Sequence, residues 1–119
     1  GCSALIVAAQ SGSLEIVKTL ISKGADINLK STAGETALMF ASATGHSAIV
    51  RHLLEKGVSV DVTNKKGFSA LIFASMRGQS GAIEALLDHG VHMNTRDTYG
   101  RTALMHAIEN SHQESVDAL

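Results

Sequence analysis

The sequence predicts an all-α repeat solenoid, and three observations predict it. A glycine-led stretch returns every thirty-three residues: GCSALIVAAQSGS from Gly1, GETALMFASATGH from Gly34, GFSALIFASMRGQ from Gly67 and GRTALMHAIENSH from Gly100. Each full copy carries two successive apolar stripes at helical spacing. Glycines punctuate those stripes at fixed places, Gly12, Gly45 and Gly78 between them and Gly24, Gly57 and Gly90 after them. A unit of this size has too little core of its own and buries its apolar faces by stacking on its neighbours. The expected organisation is one repeat domain over 1–119, with units 1–33, 34–66 and 67–99 and a partial unit 100–119.

Within a unit each element has a local reason. Ser3, Thr36, Ser69 and Thr102 stand two residues after the opening glycine, where a hydroxyl can accept from the free N–H groups of a new helix. Ala-Leu-aliphatic follows, with a second alanine four residues on, as in Ala37, Leu38, Met39 and Ala41; small residues on one face let helices approach closely. The inter-helix glycine ends that helix. A second begins near Ile16 and Val17, Ile49 and Val50, or Ile83, and runs to Leu20 and Ile21, Leu53 and Leu54, or Leu86 and Leu87. Gly24, Gly57 and Gly90 occupy the C′ position that favours positive φ. Beyond them Ile27 and Leu29, or Val60 and Val62, alternate with polar residues and predict extended, hairpin-like connectors.

Composition narrows the classes of function. The chain of 119 residues is 45% hydrophobic but only 3% aromatic, so small aliphatic side chains must fill the core. A net charge of -1 gives no global attraction to nucleic acid or anionic membrane. The single cysteine, Cys2, cannot form an intrachain disulfide, which fits an intracellular place, cytoplasmic or nuclear. No apolar run approaches the roughly 20 residues of a membrane span, and the stretch Ala4 to Ala9 lacks the basic leader of a signal peptide.

The unit resembles the ankyrin repeat. GETALMFASATGHSAIVRHLLEKGVSVD matches that family's pattern at Gly34, Thr36, Leu38, Ala41, Gly45, His46, Val50, Leu53, Leu54, Gly57 and Asp61, and the resemblance covers the whole chain. It departs at the family's helix-opening proline, which is Ala4, Ala37, Ala70 and Ala103 here, and at the following histidine, replaced by Ile6, Met39, Ile72 and Met105. Alanine keeps the helix but loses some rigidity at its start. Apolar packing must replace the family's threonine-to-histidine bonding. In the last copy Ser111 replaces the inter-helix glycine. That copy stops at Leu119 with Val116 and Leu119 on an apolar stripe, and the first copy has no polar capping face, so the expectation is a piece of a longer repeat protein.

No catalytic motif is present. The chain lacks a phosphate-binding G-x-x-x-x-G-K-[ST], a G-x-G-x-x-G after a strand, and C-x-x-C. His46 and His112 fall at the family's structural inter-helix position; His89 and His92 are separated by Gly90 and lack a third ligand. His52 is expected on a solvated helix face and His106 toward the groove. The carboxylates Glu55, Asp61, Asp88 and Glu109 fall at different repeat positions and make no acid/base pair. The reading is a non-enzymatic chain with no metal and no cofactor.

Function is therefore expected at a surface. The resemblance implies a protein or peptide partner in the concave groove, touched by the connector tips and the open side of the first helices. Those positions are Lys30, Thr32, Ala33, Glu35, Ala43 and Thr44 in the second unit; Thr63, Lys65, Lys66, Phe68, Met76 and Arg77 in the third; and Arg96, Thr98, Tyr99, Arg101, Glu109 and Asn110 in the fourth. The candidate binding residues are Lys66, Phe68, Met76, Arg77, Tyr99 and Arg101, since aromatic and arginine side chains are typical anchors. Side chains thirty-three apart would stack, placing Phe68 beside Arg101. Such a surface suits a partner with an acidic segment and one apolar anchor. The few local cations argue against nucleic acid. A structural spacer or shielding array is the alternative. The oligomeric state is open. Leu20, Asp26, Ile27 and Asn28 resemble the spacing accepted by the asparaginyl hydroxylase that modifies many ankyrin domains, which marks Asn28 as a hydroxylation candidate; Asn94, preceded by His92 and Met93, matches less well.

Overall fold

A computed structural model describes residues 4–91 together with the single positions Thr102 and Met105. Six helices are found there: α1 Ala4–Ser11, α2 Leu14–Ser22, α3 Ala37–Thr44, α4 Ser47–Glu55, α5 Ala70–Met76 and α6 Ser80–Asp88. Their starts repeat at the sequence period, because the residues that start and stop them repeat. The first helices α1, α3 and α5 pack side by side in one layer, and α2, α4 and α6 form a second layer against them.

Three of the four predicted caps are seen, and Ser3 lies outside the described residues. Thr36 Oγ1 accepts from the Met39 N–H (3.4 Å), Ser69 Oγ from Ile72 (3.3 Å) and Thr102 Oγ1 from Met105 (3.4 Å). Ala37 and Ala70 are the first helical residues, at the place that tolerates proline best. At the other end of α4, the Gly57 N–H donates to Leu54 C=O (3.1 Å) and the Val58 N–H to Leu53 C=O (3.2 Å), the paired bonds of a Schellman stop. Gly57 has φ 81, and a Cβ there would meet nothing within 4 Å, so the backbone angle alone demands glycine. The same two bonds close α2 at Gly24 and α6 at Gly90.

The connectors hold no strand among the described residues. Each ends in a tight tip. The Ser31 N–H donates to Glu35 C=O (2.8 Å) and the Gly34 N–H to Ser31 C=O (2.9 Å); one unit later the Asn64 N–H donates to Phe68 C=O and the Gly67 N–H to Asn64 C=O, both 3.0 Å. The Lys65 N–H donates to Ala33 C=O (3.1 Å), joining successive tips. The alternation at Ile27 and Leu29 therefore expresses half-burial of Ile27 with Leu29 turned out, without sheet formation.

The two helix types bury differently. In α3 five of eight residues are buried, namely Ala37, Leu38, Met39, Ala41 and Ser42. Ala8, Ala41 and Ala74 repeat at one position, each buried, and their small size lets neighbouring first helices approach. Ile6, Met39 and Ile72 are buried where the family carries histidine, so apolar packing does replace that bonding. The second helices are one-sided, with Val50, Leu53 and Leu54 inward in α4 and Arg51 and Glu55 outward. At one position Ile49 and Ala82 are buried but Ile16 is 54% exposed, because α2 has no described helix on that side.

Among the described residues two buried polar side-chain atoms are unsatisfied, Ser42 Oγ between the first helices and His52 Nε2 among the second. Ser75 Oγ donates to Leu71 C=O (2.8 Å), whereas Ser42 Oγ, one unit earlier, is buried without a partner. The equivalent residue in α1 is Ala9, fully buried, so the site accepts alanine. Removing the stranded hydroxyl and gaining helix propensity should make Ser42→Ala more stable by about 1 kcal/mol. Chemical denaturation measures this; a loss of stability would show that the hydroxyl has a partner after all.

Candidate interaction groove

The open side of the first-helix layer is set by what the core leaves out. In α1, α3 and α5 the seventh residue of each unit faces outward: Val7 is 52% exposed, and Phe40 and Phe73 are half-buried. Two clefts lie along this side. One, of about 240 Å³, runs over the first helices between Gln10, Phe40, Ala43, Thr44, Phe73 and Arg77. The other, of about 390 Å³, lies toward the tips between Ala33, Asn64, Lys65, Lys66, Phe68 and Met76. Glu35 and Phe73 wall both clefts.

The tip cleft has a fixed aromatic wall. The rings of Phe68 and Phe73 meet edge to face, with centroids 5.7 Å apart and planes at 88°. Phe68 is half-buried against the core by this contact, so it belongs to the repeat as well as to the groove.

Asn64 builds the tip from beneath. It is only 8% exposed, and its Oδ1 accepts from the Lys66 and Phe68 N–H groups, both at 2.9 Å. Its Nδ2 donates to Glu35 Oε2 (3.4 Å), tying this tip to the preceding one. Ser31, one unit earlier, does part of the same work, with Oγ accepting from the Glu35 N–H (3.2 Å). Lys65, Lys66 and Arg77 are exposed at the rim.

The predicted binding residues divide as follows. Lys66, Phe68 and Met76 line the tip cleft and Arg77 lines the helix cleft. Tyr99 and Arg101 lie outside the described residues, as do Asn94, Arg96, Glu109, His92, His106 and His112. Asn28 is half-buried; its Oδ1 accepts from the Ser59 N–H (2.9 Å) of the next unit and its own N–H donates to Asp26 Oδ1 (3.0 Å). Sequence reasoning missed Phe40 and Phe73. The signal was the aromatic pair thirty-three residues apart.

The histidines need one correction. His52 is not a solvated residue: it is half-buried, and its Nε2 is enclosed without a partner in the second-helix layer. His46 lies over Gly12, where a Cβ would come 2.6 Å from its Cε1. Gln79, at the same repeat position, covers Gly45 and donates Nε2–H to Ala43 C=O (3.1 Å), satisfying a carbonyl near the end of α3. A shallow hollow on the far face, about 210 Å³, holds the exposed Arg51–Asp88 pair at 3.9 Å, which contributes little. Among the described residues no three potential ligands gather for a metal.

The profile of the ankyrin repeats, in three copies, matches residues 1–64 and 38–119. The chain belongs to the ankyrin-repeat family. No curated protein matches it. Ankyrin repeats in general serve as protein-interaction modules and are typically non-catalytic. No helix among the described residues is long and apolar enough to cross a membrane.

In this ankyrin-repeat chain the groove depends on its tips, and the tip from Asn64 to Phe68 depends on Asn64. Asn64→Ala strands two part-buried N–H groups and removes the tie to Glu35, so stability should fall by roughly 1–3 kcal/mol. Denaturant titration reads the loss, and faster amide exchange at Phe68 locates it; unchanged exchange there would contradict the assigned role.

Proposed function

We propose that this ankyrin-repeat chain is a non-catalytic module that binds a protein or peptide partner in its concave groove. The supporting observation is the pair of adjoining clefts, which share the walls Glu35 and Phe73 and set apolar side chains beside polar and charged ones. Phe40, Phe73 and Phe68 offer apolar area at low entropic cost, Met76 adds an adaptable apolar side chain, and Lys65, Lys66 and Arg77 edge it with positive charge. A partner with an apolar anchor and an acidic segment fits this combination. Tyr99 and Arg101, which stand thirty-three residues after Lys66 and Phe68 in the sequence, are part of the same proposed binding set.

The competing reading, a structural spacer, is favoured by one contact: Phe68 lies edge to face on Phe73 and so supports its own unit. Exposed residues separate the two. Arg77→Glu should leave melting unchanged yet weaken partner capture by on the order of tenfold or more, because the reversed charge sits against the partner's acidic segment, while Lys65→Ala should change binding by no more than about 1 kcal/mol. Phe68→Ala should lower both melting temperature and capture. A partner held equally by the Arg77→Glu variant would count against the groove.

Asn28 remains our proposal for hydroxylation, supported by the spacing of Leu20, Asp26, Ile27 and Asn28. Its Oδ1 bond to Ser59 means that the connector must open to reach an enzyme. After incubation with an asparaginyl hydroxylase the intact mass should rise by one oxygen, at Asn28 by peptide mapping. An unchanged mass removes the proposal.

A further inference from the structure

Among the described residues the two clefts carry a single acid, and their other ionisable wall residues are Lys65, Lys66 and Arg77. That acid, Glu35, is half-buried and walls both clefts. A carboxylate is acceptor-only, with about four lone-pair sites. Among the described residues Glu35 uses one of them, in the 3.4 Å bond from Asn64 Nδ2, and no cation forms an ion pair with it. A partner whose apolar anchor enters the tip cleft must cover this carboxylate. Covering it without a donor is unfavourable, because a desolvated charge loses water that nothing replaces. A wholly acidic segment would add like-charge repulsion at the same point.

We infer that Glu35 makes the groove selective for a peptide segment that presents a Lys or Arg side chain next to its apolar anchor. The inference rests on the groove reading above and refines it. The partner segment is of mixed charge: its acids meet Lys65, Lys66 and Arg77, and its one base meets Glu35. Glu35 is then a specificity residue.

A phage-displayed library of random linear peptides, selected on the wild-type chain and on Glu35→Gln, tests this. Glutamine keeps an acceptor oxygen for Asn64 Nδ2, and a melting curve checks that the fold is kept. The wild type should enrich Lys or Arg beside an apolar residue, and Glu35→Gln should keep the apolar preference and lose the basic one. Replacing the basic residue of a synthetic wild-type-selected peptide by norleucine should weaken binding about fivefold on the wild type, the upper range for a partly exposed pair. The same replacement should have no effect on Glu35→Gln. Enrichment without a basic preference, or a basic preference that survives in Glu35→Gln, overturns the inference and leaves the groove reading standing. A third selection uses Ala33→Trp, which places a bulky side chain at an exposed wall of the tip cleft. If no peptide is enriched, or if enriched peptides bind Ala33→Trp equally well, the groove reading fails and this inference fails with it.

Discussion

The structure depends on the close lateral packing of first helices that are apolar on almost every side. A helix such as α3, with Leu38, Met39, Ala41 and Ser42 all buried, cannot be stable beside one neighbour. It needs α4 behind it and a first helix on each flank. Alanine at the shared contact position, Ala8, Ala41 and Ala74, makes this enclosure geometrically achievable, because backbones separated only by methyl groups can approach closely. The second helices, being one-sided, follow from the first. The groove is what remains: the one flank of each first helix that neither neighbour nor partner helix covers.

What was legible in the sequence was local or periodic. Helix starts could be read because Thr36, Ser69 and Thr102 act on N–H groups three residues away, and helix ends because Gly24, Gly57 and Gly90 meet a backbone requirement that is decided within a single turn. Periodicity of the second helices gave their inner faces directly. It could not orient the first helices. In ALMFASAT the two polar residues disagree, Ser42 being buried and Thr44 exposed, so polarity alone does not separate Phe40 from its buried neighbours, and Phe73 was hidden in the same way. Phe68 was legible as a tip residue, but its contact with Phe73 was not, since that depends on how the tip folds back over α5.

The long-range polar bonds, two between units and one across the length of a unit, were beyond sequence reasoning for a different reason. Asn28 Oδ1 reaches the Ser59 N–H, Gln79 Nε2 reaches the Ala43 carbonyl, and Asn64 reaches Glu35 across nearly a full repeat. Two of these end on backbone atoms, which every residue possesses, so residue type cannot reveal the partner. All three lie outside the apolar centre, toward the connectors and the helix ends. The apolar interior supplies most of the cohesion between units, because it is extensive and non-directional. The polar bonds are few and directional, and the two between units fix the angle at which one unit meets the next.

This arrangement has a mechanical consequence. Glu35 belongs to one unit and Phe73 to the following one, and both line each cleft. The space between those walls is therefore set by the angle at which one unit meets the next, and any change of that angle would alter both clefts together.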